Sequence, residues 1–253
     1  MNMKVVKNQQ HLKRRIDDFF LSGYEGKAAR VLIDTLAEHN RAWIFGGMIR
    51  DIGLFGHKGF TSDIDIVVDS NHEDLLRVLS TIDVQNLTCT KLGGIRFHYH
   101  DMDFDVWCLS DTWAFKENII PLEGAHSLFK TTLMTWDAIL YDIHSREVIS
   151  PENYLDDLHE RRLELVLSQT PNESGSLIKI LRTIYSKRVE VLGPELCTFL
   201  HQRLYTYNFD ALMHYEMTHY HTNSFTAAQI NQLLQSLRLA NPESDLRVNI
   251  NPT

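Results

Sequence analysis

No run of about 18 or more apolar residues occurs in the sequence, so it contains no stretch of the kind that spans a membrane as a helix. The N-terminal segment MNMKVVKNQQHLKRR is basic, but no apolar stretch follows it, which argues against a secretory signal. Cysteine is scarce. Cys89, Cys108 and Cys197 are odd in number and share no metal-ligand spacing. They read as free thiols in a reducing compartment, which makes the cytoplasm the expected location. A basic excess is also missing: 25 Lys and Arg stand against 33 Asp and Glu, for a net charge of -8. That balance speaks against a broad grip on a long nucleic acid. There is no internal repeat and no low-complexity segment. What remains is a 253-residue chain, 43% hydrophobic and 23% charged, long enough to bury a sizeable core and to form two domains.

The charge is unevenly spread. Lys4, Lys7, Lys13, Arg14 and Arg15 fall in the first fifteen residues with no acid among them. Lys179, Arg182, Lys187 and Arg188 fall within residues 174–188, again without an acid. Each run is compatible with a local basic groove or with a solvated helix face.

Apolar spacing over residues 12–40 predicts helix, punctuated by Gly23 and Gly26. Arg41-Ala42-Trp43-Ile44-Phe45 reads as a buried strand that runs into Gly46-Gly47, with a helix starting at 48–54. Asp63-Ile64-Asp65-Ile66-Val67-Val68 is a β-branched run with alternating acids, hence a strand with one functional face. A helix capped by Asn71 follows, then three strand-like runs: QNLTCTKL, GIRFHYH and DFDVWCL. Another apolar, β-rich stretch covers 127–149, with a turn at His144-Ser145-Arg146. From about residue 152 the pattern is helical, and the tail from Asn241 is expected to fray. The expected fold class is therefore α+β: a mixed-sheet head with N-terminal helices over residues 1–150, followed by an all-helical neck or body over 151–253.

The chemistry concentrates on carboxylates. Residues i and i+2 of a strand share a face, so Asp63 and Asp65 project together. Two like charges that close repel, and a divalent cation relieves the repulsion. Mg²⁺, with Mn²⁺ as the alternative, takes carboxylate oxygens together with substrate phosphate oxygens. A second run, Asp101-Met102-Asp103-Phe104-Asp105, places three more acids on one side of another strand. Asp105 is the favoured third ligand because Val106-Trp107-Cys108-Leu109 behind it reads as deep strand; Asp103 is the reserve. Gly46-Gly47 at a strand-to-helix turn lets backbone N–H groups approach phosphate, and the helix start adds a favourable field. Arg50, one turn on, can contact phosphate or pair with a carboxylate. Trp107, Trp113 and Trp136 read as core, and His214, His219 and His221 as ordinary helix residues without metal spacing. Asp111 or Thr112 reads as the cap of a helix beginning at Trp113, and Lys116 as exposed.

Gly46-Gly47-Met48-Ile49-Arg50-Asp51 followed by Asp63-Ile64-Asp65-Ile66 resembles the head of the bacterial-type tRNA CCA-adding enzymes and poly(A) polymerases, in the DNA polymerase β-like nucleotidyltransferase superfamily. The resemblance continues more faintly through Ala138–Asp142, Glu147–Pro151 and Asp156-Asp157-Leu158, and reaches Ile180-Leu181-Arg182, which is similar to the family's nucleotide-recognition helix. It implies a metal-dependent transfer of NMP from an NTP to an acceptor hydroxyl, with pyrophosphate released. It also implies that Asp63, Asp65 and a third carboxylate hold two metals, and that Lys179 and Arg182 lie beside the nucleotide. Two departures stand out. Thr131-Thr132-Leu133-Met134 occupies the place of a sugar-reading Arg-Arg-Asp-Phe, and Gly175 and Ser176 that of an acidic base-reading pair. The expectation is a nucleotidyltransferase without a CTP-then-ATP programme. Its acceptor is left open between an RNA or tRNA 3′ end, a protein side chain and a small molecule. A catalytically silent nucleotide- or RNA-binding module is the contrasting reading.

Overall fold

The computed structural model describes residues 5–249 apart from 39, 61 and 242; Lys4 of the basic N-terminal run lies outside them. The chain divides into two compact units, Met1–Thr131 with Asp137–Leu155, and Thr132–Trp136 with Asp156–Thr253.

In the first unit, helices α1 (Gln9–Leu21) and α2 (Gly23–Ala37) precede β1 (Ala42–Phe45), α3 (Gly47–Phe55), β2 (Ile64–Val68) and α4 (His72–Leu79). Strands β3 (Gln85–Cys89), β4 (Ile95–Tyr99) and β5 (Met102–Cys108) follow, then α5 (Trp113–Lys116), β6 (Leu140–Asp142) and β7 (Glu147–Ile149). The strands form one seven-stranded sheet in the order β3-β4-β5-β2-β1-β6-β7. Only β2 and β5 pair in parallel, and α4, β3 and β4 make the crossover between them. Asn71 caps α4 as the sequence suggested, its side chain accepting from the Asp74 N–H.

The two faces of the sheet differ because strand side chains alternate. Ile44, Ile64, Ile66, Phe97, Phe104 and Val106 are fully or almost fully buried. They share the apolar core with Leu12, Ile16, Leu32, Leu36, Met48 and Ile52 of the helices. On the opposite parity, Trp43, Val67 and Leu140 pack with Leu109, Phe115 and Leu128, so residues 109–130 cover one end of that face. The uncovered end carries Asp65, Asp105 and Trp107, all partly exposed.

Helix α6 (Tyr154–His159) carries the chain into the second unit. There β8 (Arg162–Leu163), α7 (Glu173–Ser186), β9 (Val191–Leu192), α8 (Pro194–Thr206), α9 (Phe209–Tyr220), α10 (Ala227–Leu239) and β10 (Leu246–Arg247) follow in turn. The unit is helical as expected, with an addition: β10, β9 and β8 form a small three-stranded sheet. Two-residue strands leave no periodicity in a sequence, which is why the helical pattern alone was visible. The expected fraying from Asn241 is corrected over Asp245–Val248. β10 pairs with β9, the Val248 N–H donates to the Glu190 carbonyl at 2.9 Å, and the Asp245 carboxylate accepts from Arg162 Nε and Nη2 at 3.0 Å each. Among the described residues no helix is long and apolar enough to cross a membrane.

Candidate active site

The β2–β5 ladder builds the centre of the site. Asp65 and Asp105 are register partners on adjacent parallel strands, so their side chains leave the same face side by side. Asp63 stands one residue before β2 rather than inside it. Even so, one carboxylate oxygen from each of Asp63, Asp65 and Asp105 lies within 4.8 Å of the other two. Asp103, the reserve ligand, is two residues back along β5 and instead accepts from His98 Nδ1 at 3.0 Å.

Three hard oxygen donors converging from one side suit a divalent cation of the Mg²⁺ or Mn²⁺ type, and partial exposure leaves room for water or phosphate oxygens. Charge in the cluster is partly offset by Arg96 of β4, the register partner of Asp105. Its Nε donates to Asp105 Oδ1 at 2.7 Å and its Nη2 to Asp105 Oδ2, while Nη2 lies 3.7 Å from Asp63 Oδ2. The hydrogen bond to Asp105 raises the guanidinium pKa above its usual value despite partial burial, and the charges of Asp105, Asp63 and Asp65 add to it.

The Gly-Gly turn sits beside these carboxylates. Gly46 adopts φ +65° and ψ -107°, a conformation that L side chains rarely adopt, and its N–H donates to the Ile139 carbonyl at 2.9 Å. Gly46 therefore contributes through its backbone shape. The amides that can meet a phosphate are those of the first turn of α3, which lack an i-4 partner inside the helix. Gly47 opens that turn, and a Cβ placed on it would lie 3.8 Å from Asp65 Oδ2 and 3.7 Å from Arg50 Nη2.

Of the two roles read for Arg50, pairing with carboxylates is the one its contacts display. It is buried, donates from Nε to Asp51 Oδ1 at 2.8 Å, and donates from Nη1 to Asp137 Oδ1. Burial alone would lower its pKa, but Asp137 and then Asp51 outweigh that and raise it. Asp137 also presses its backbone against Gly46, where a Cβ would meet the Asp137 carbonyl at 3.3 Å. Arg50 and Asp137 thus brace the turn from behind.

Lys179 and Arg182 lie on α7 of the second unit. Arg182 donates from Nη1 to the fully buried Glu216 at 3.0 Å, and its guanidinium lies 4.1 Å from the ring centre of Tyr220. Gly175 and Ser176 occupy the first turn of the same helix, where the Gly175 N–H donates to the capping Asn172.

A cavity of about 260 Å³ opens next to the carboxylates, lined by Asp65, Asp105, Phe45, Leu92, Trp107 and Trp113 among others. Trp136 is wholly buried, as expected. Trp107 and Trp113 are not simply core, because each turns one side to this cavity. Thr112 stands at the N-cap of α5 without a capping hydrogen bond; its Oγ1 accepts from Trp107 Nε1 at 3.0 Å instead. Lys116 is exposed and pairs with Asp111 at 3.4 Å.

Sequence reasoning missed Arg96, Asp137 and the aromatic cavity. Asp137 left a signal: one acid inside the apolar run Trp136–Leu140 needs a buried partner. Arg96 left none, because its partner depends on the register of β4 against β5.

No protein-family model matches the sequence, and a comparison with curated proteins finds no match. Comparison with solved structures does find likenesses. An apo form of a tRNA-processing enzyme superposes with a TM-score of 0.60 at 18% identity, over 84% of this chain and 56% of that one. A tRNA nucleotidyltransferase complexed with a primer tRNA and an incoming ATP analogue gives 0.58 at 17%, over 80% and 58%. A CCA-adding enzyme with CTP gives 0.51 at 14%, over 93% and 62%. The chain thus shares the fold of tRNA nucleotidyltransferases and spans less than two thirds of the length of these structures.

Proposed function

We propose that the protein is a metal-dependent nucleotidyltransferase that moves NMP from an NTP to an acceptor hydroxyl and releases pyrophosphate. The observation that carries this reading is the convergence of Asp63, Asp65 and Asp105 within 4.8 Å, beside the helix-opening Gly47, where an added Cβ would lie 3.8 Å from Asp65 Oδ2. Asp63, Asp65 and Asp105 would hold the divalent cation, which when bound supplies positive charge for the phosphates and for an ionising hydroxyl. The first-turn amides of α3, from Gly47, would hold phosphate oxygens, with Gly46 shaping the turn and Arg50 fixing it from behind. Asp105 would take the proton of the acceptor hydroxyl. Lys179 and Arg182 of the second unit are kept, on charge alone, as candidates for attracting the nucleotide; Arg182 also holds Glu216.

The RNA 3′ end is the acceptor class that the fold favours, because the solved structures that share it are tRNA-processing enzymes. The departures at Thr131–Met134 and at Gly175-Ser176 keep a protein side chain or small molecule as the alternative. Free Cys89, Cys108 and Cys197 support a reducing compartment, the cytoplasm. The test is incubation with labelled NTPs and Mg²⁺, offering RNA and protein acceptors, for wild type and Asp65→Asn. We expect label transfer by wild type and at least about a hundredfold loss in a folded variant, the scale of losing charge stabilisation at a transition state. Undiminished transfer by folded Asp65→Asn would overturn the mechanism.

A further inference from the structure

We propose that the cavity beside Asp65 and Asp105 is a stacking pocket for a nucleobase. This inference rests on the nucleotidyltransferase reading for its ligand, and on the head alone for its geometry.

Asp105 and Trp107 are i and i+2 on β5, so the strand that presents a carboxylate presents an indole next to it on the same face. That indole is already fixed. Trp107 Nε1 donates to Thr112 at 3.0 Å, and Phe45 meets the ring edge-on at 6.0 Å between centres and 67° between planes. A platform held by a hydrogen bond and an aromatic contact loses little freedom when a second ring lies on it. Trp113 and Leu92 supply further apolar surface. Gly94 keeps the space open, since a Cβ there would stand 3.8 Å from Trp107 Cβ and 3.2 Å from Thr90 Oγ1.

Charge selects what enters. Among the described residues lining the cavity none is basic, while Asp65, Asp105 and Asp111 are acidic. Arg96 pairs with Asp105 and Lys116 with Asp111, but the lining itself offers no basic side chain to a phosphate, which the first turn of α3 suits better. A flat, uncharged ring is accepted; the hydroxyls of Thr90 and Thr112 can donate at its rim, and that of Thr131, which donates to the Leu128 carbonyl at 2.8 Å, can accept. Stacking of this kind tolerates any base, because every base has a π-face. Tolerance also accords with the absence of base-reading acids at Gly175 and Ser176. The base can belong to the NTP or to the terminal nucleotide of an RNA acceptor.

The experiment follows tryptophan fluorescence during titration of the full chain with ATP, with a trinucleotide RNA, with the same RNA lacking its terminal base, and with inorganic tripolyphosphate. Wild type, Trp113→Ala and Trp113→Phe are compared, with circular dichroism as the check on folding. Trp113→Ala should weaken ATP or the intact RNA about tenfold, leave tripolyphosphate binding unchanged, and be rescued by Trp113→Phe. Loss confined to ATP assigns the pocket to the incoming nucleotide. Loss confined to the RNA with its base assigns it to the acceptor. Equal binding of every base-bearing ligand by folded Trp113→Ala and wild type overturns the pocket. In that case transfer that still depends on Asp65 leaves the proposed reaction standing. Base binding that needs Trp113, in a protein that transfers nothing to any acceptor, overturns the reaction and keeps the pocket.

Discussion

Asp105 has two claimants. Arg96 holds it with a two-pronged hydrogen bond, and a divalent cation would need the same oxygens. The Arg96 side chain is 57% exposed and that of Asp105 21%, so solvent still screens the pair and the competition is modest, on the scale of about 0.2–1 kcal/mol measured for exposed pairs. Replacing Arg96 by Ala should therefore raise the Mn²⁺ affinity of the nucleotide-free protein by roughly 1.4- to fivefold, as read by calorimetry. Unchanged affinity would show that Arg96 yields without cost. Asp142 is a contrasting carboxylate. Burial tends to raise its pKa, but the Ser145 N–H, Arg41, the His144 N–H and Trp43 Nε1 together lower it below the ordinary 3.8. A lowered folded pKa stabilises the fold above pH 3.8, and that stabilisation is lost as pH falls through the folded value. Asp142→Asn should cost about 1–3 kcal/mol near neutral pH by chemical denaturation. The deficit should shrink toward zero in acid; a constant deficit at all pH values would show that charge is not its origin.

Among the elements, the turn between β1 and α3 is the most constrained. Gly46→Ala would force a side chain into φ +65° and bring its Cβ to 3.3 Å from the Asp137 carbonyl. We expect a stability loss of about 1–3 kcal/mol together with a larger fall in transfer, since the phosphate amides move with the turn. Equal transfer by this variant would count against the turn as a phosphate site. Much of this element was legible beforehand. A buried strand ending in Gly46-Gly47, and β-branched residues between Asp63 and Asp65, follow from local composition and period. Asp105 was singled out over Asp103 from the apolar run behind it, and the structure brings Asp105 to the other two acids. Information that depends on register was not legible: Arg96 opposite Asp105, Asp137 against Gly46, and β10 against β9. Those pairings join residues far apart in sequence or across a hairpin, and no local pattern encodes them. Asp245→Ala tests the last of these. It removes the two Asp245 oxygens that accept from Arg162 Nε and Nη2 and should speed hydrogen exchange at the Val248 N–H, which donates to the Glu190 carbonyl, whereas unaltered exchange would show that the Asp245–Arg162 pair is dispensable to β10.

For the molecule as a whole, the net charge of -8 sets the scale of any RNA contact. A protein with so little basic excess should engage few phosphates. Its affinity for a single-stranded RNA acceptor should fall with log salt at a slope shallower than about -3, corresponding to roughly four phosphates. A much steeper slope would reveal a local basic groove at one of the two clusters, residues 13–15 or residues 179–188.

The central place of β2, fourth of seven strands in the order β3-β4-β5-β2-β1-β6-β7, has a thermal corollary. Sheets loosen from their edges, and here the edges are β3, exposed along its length, and the short β7. Asp65 and Asp105 ride on the inner pair, which is expected to open only with the whole unit. Warming should therefore leave the proposed transfer undiminished until the head melts, and then abolish it in one step.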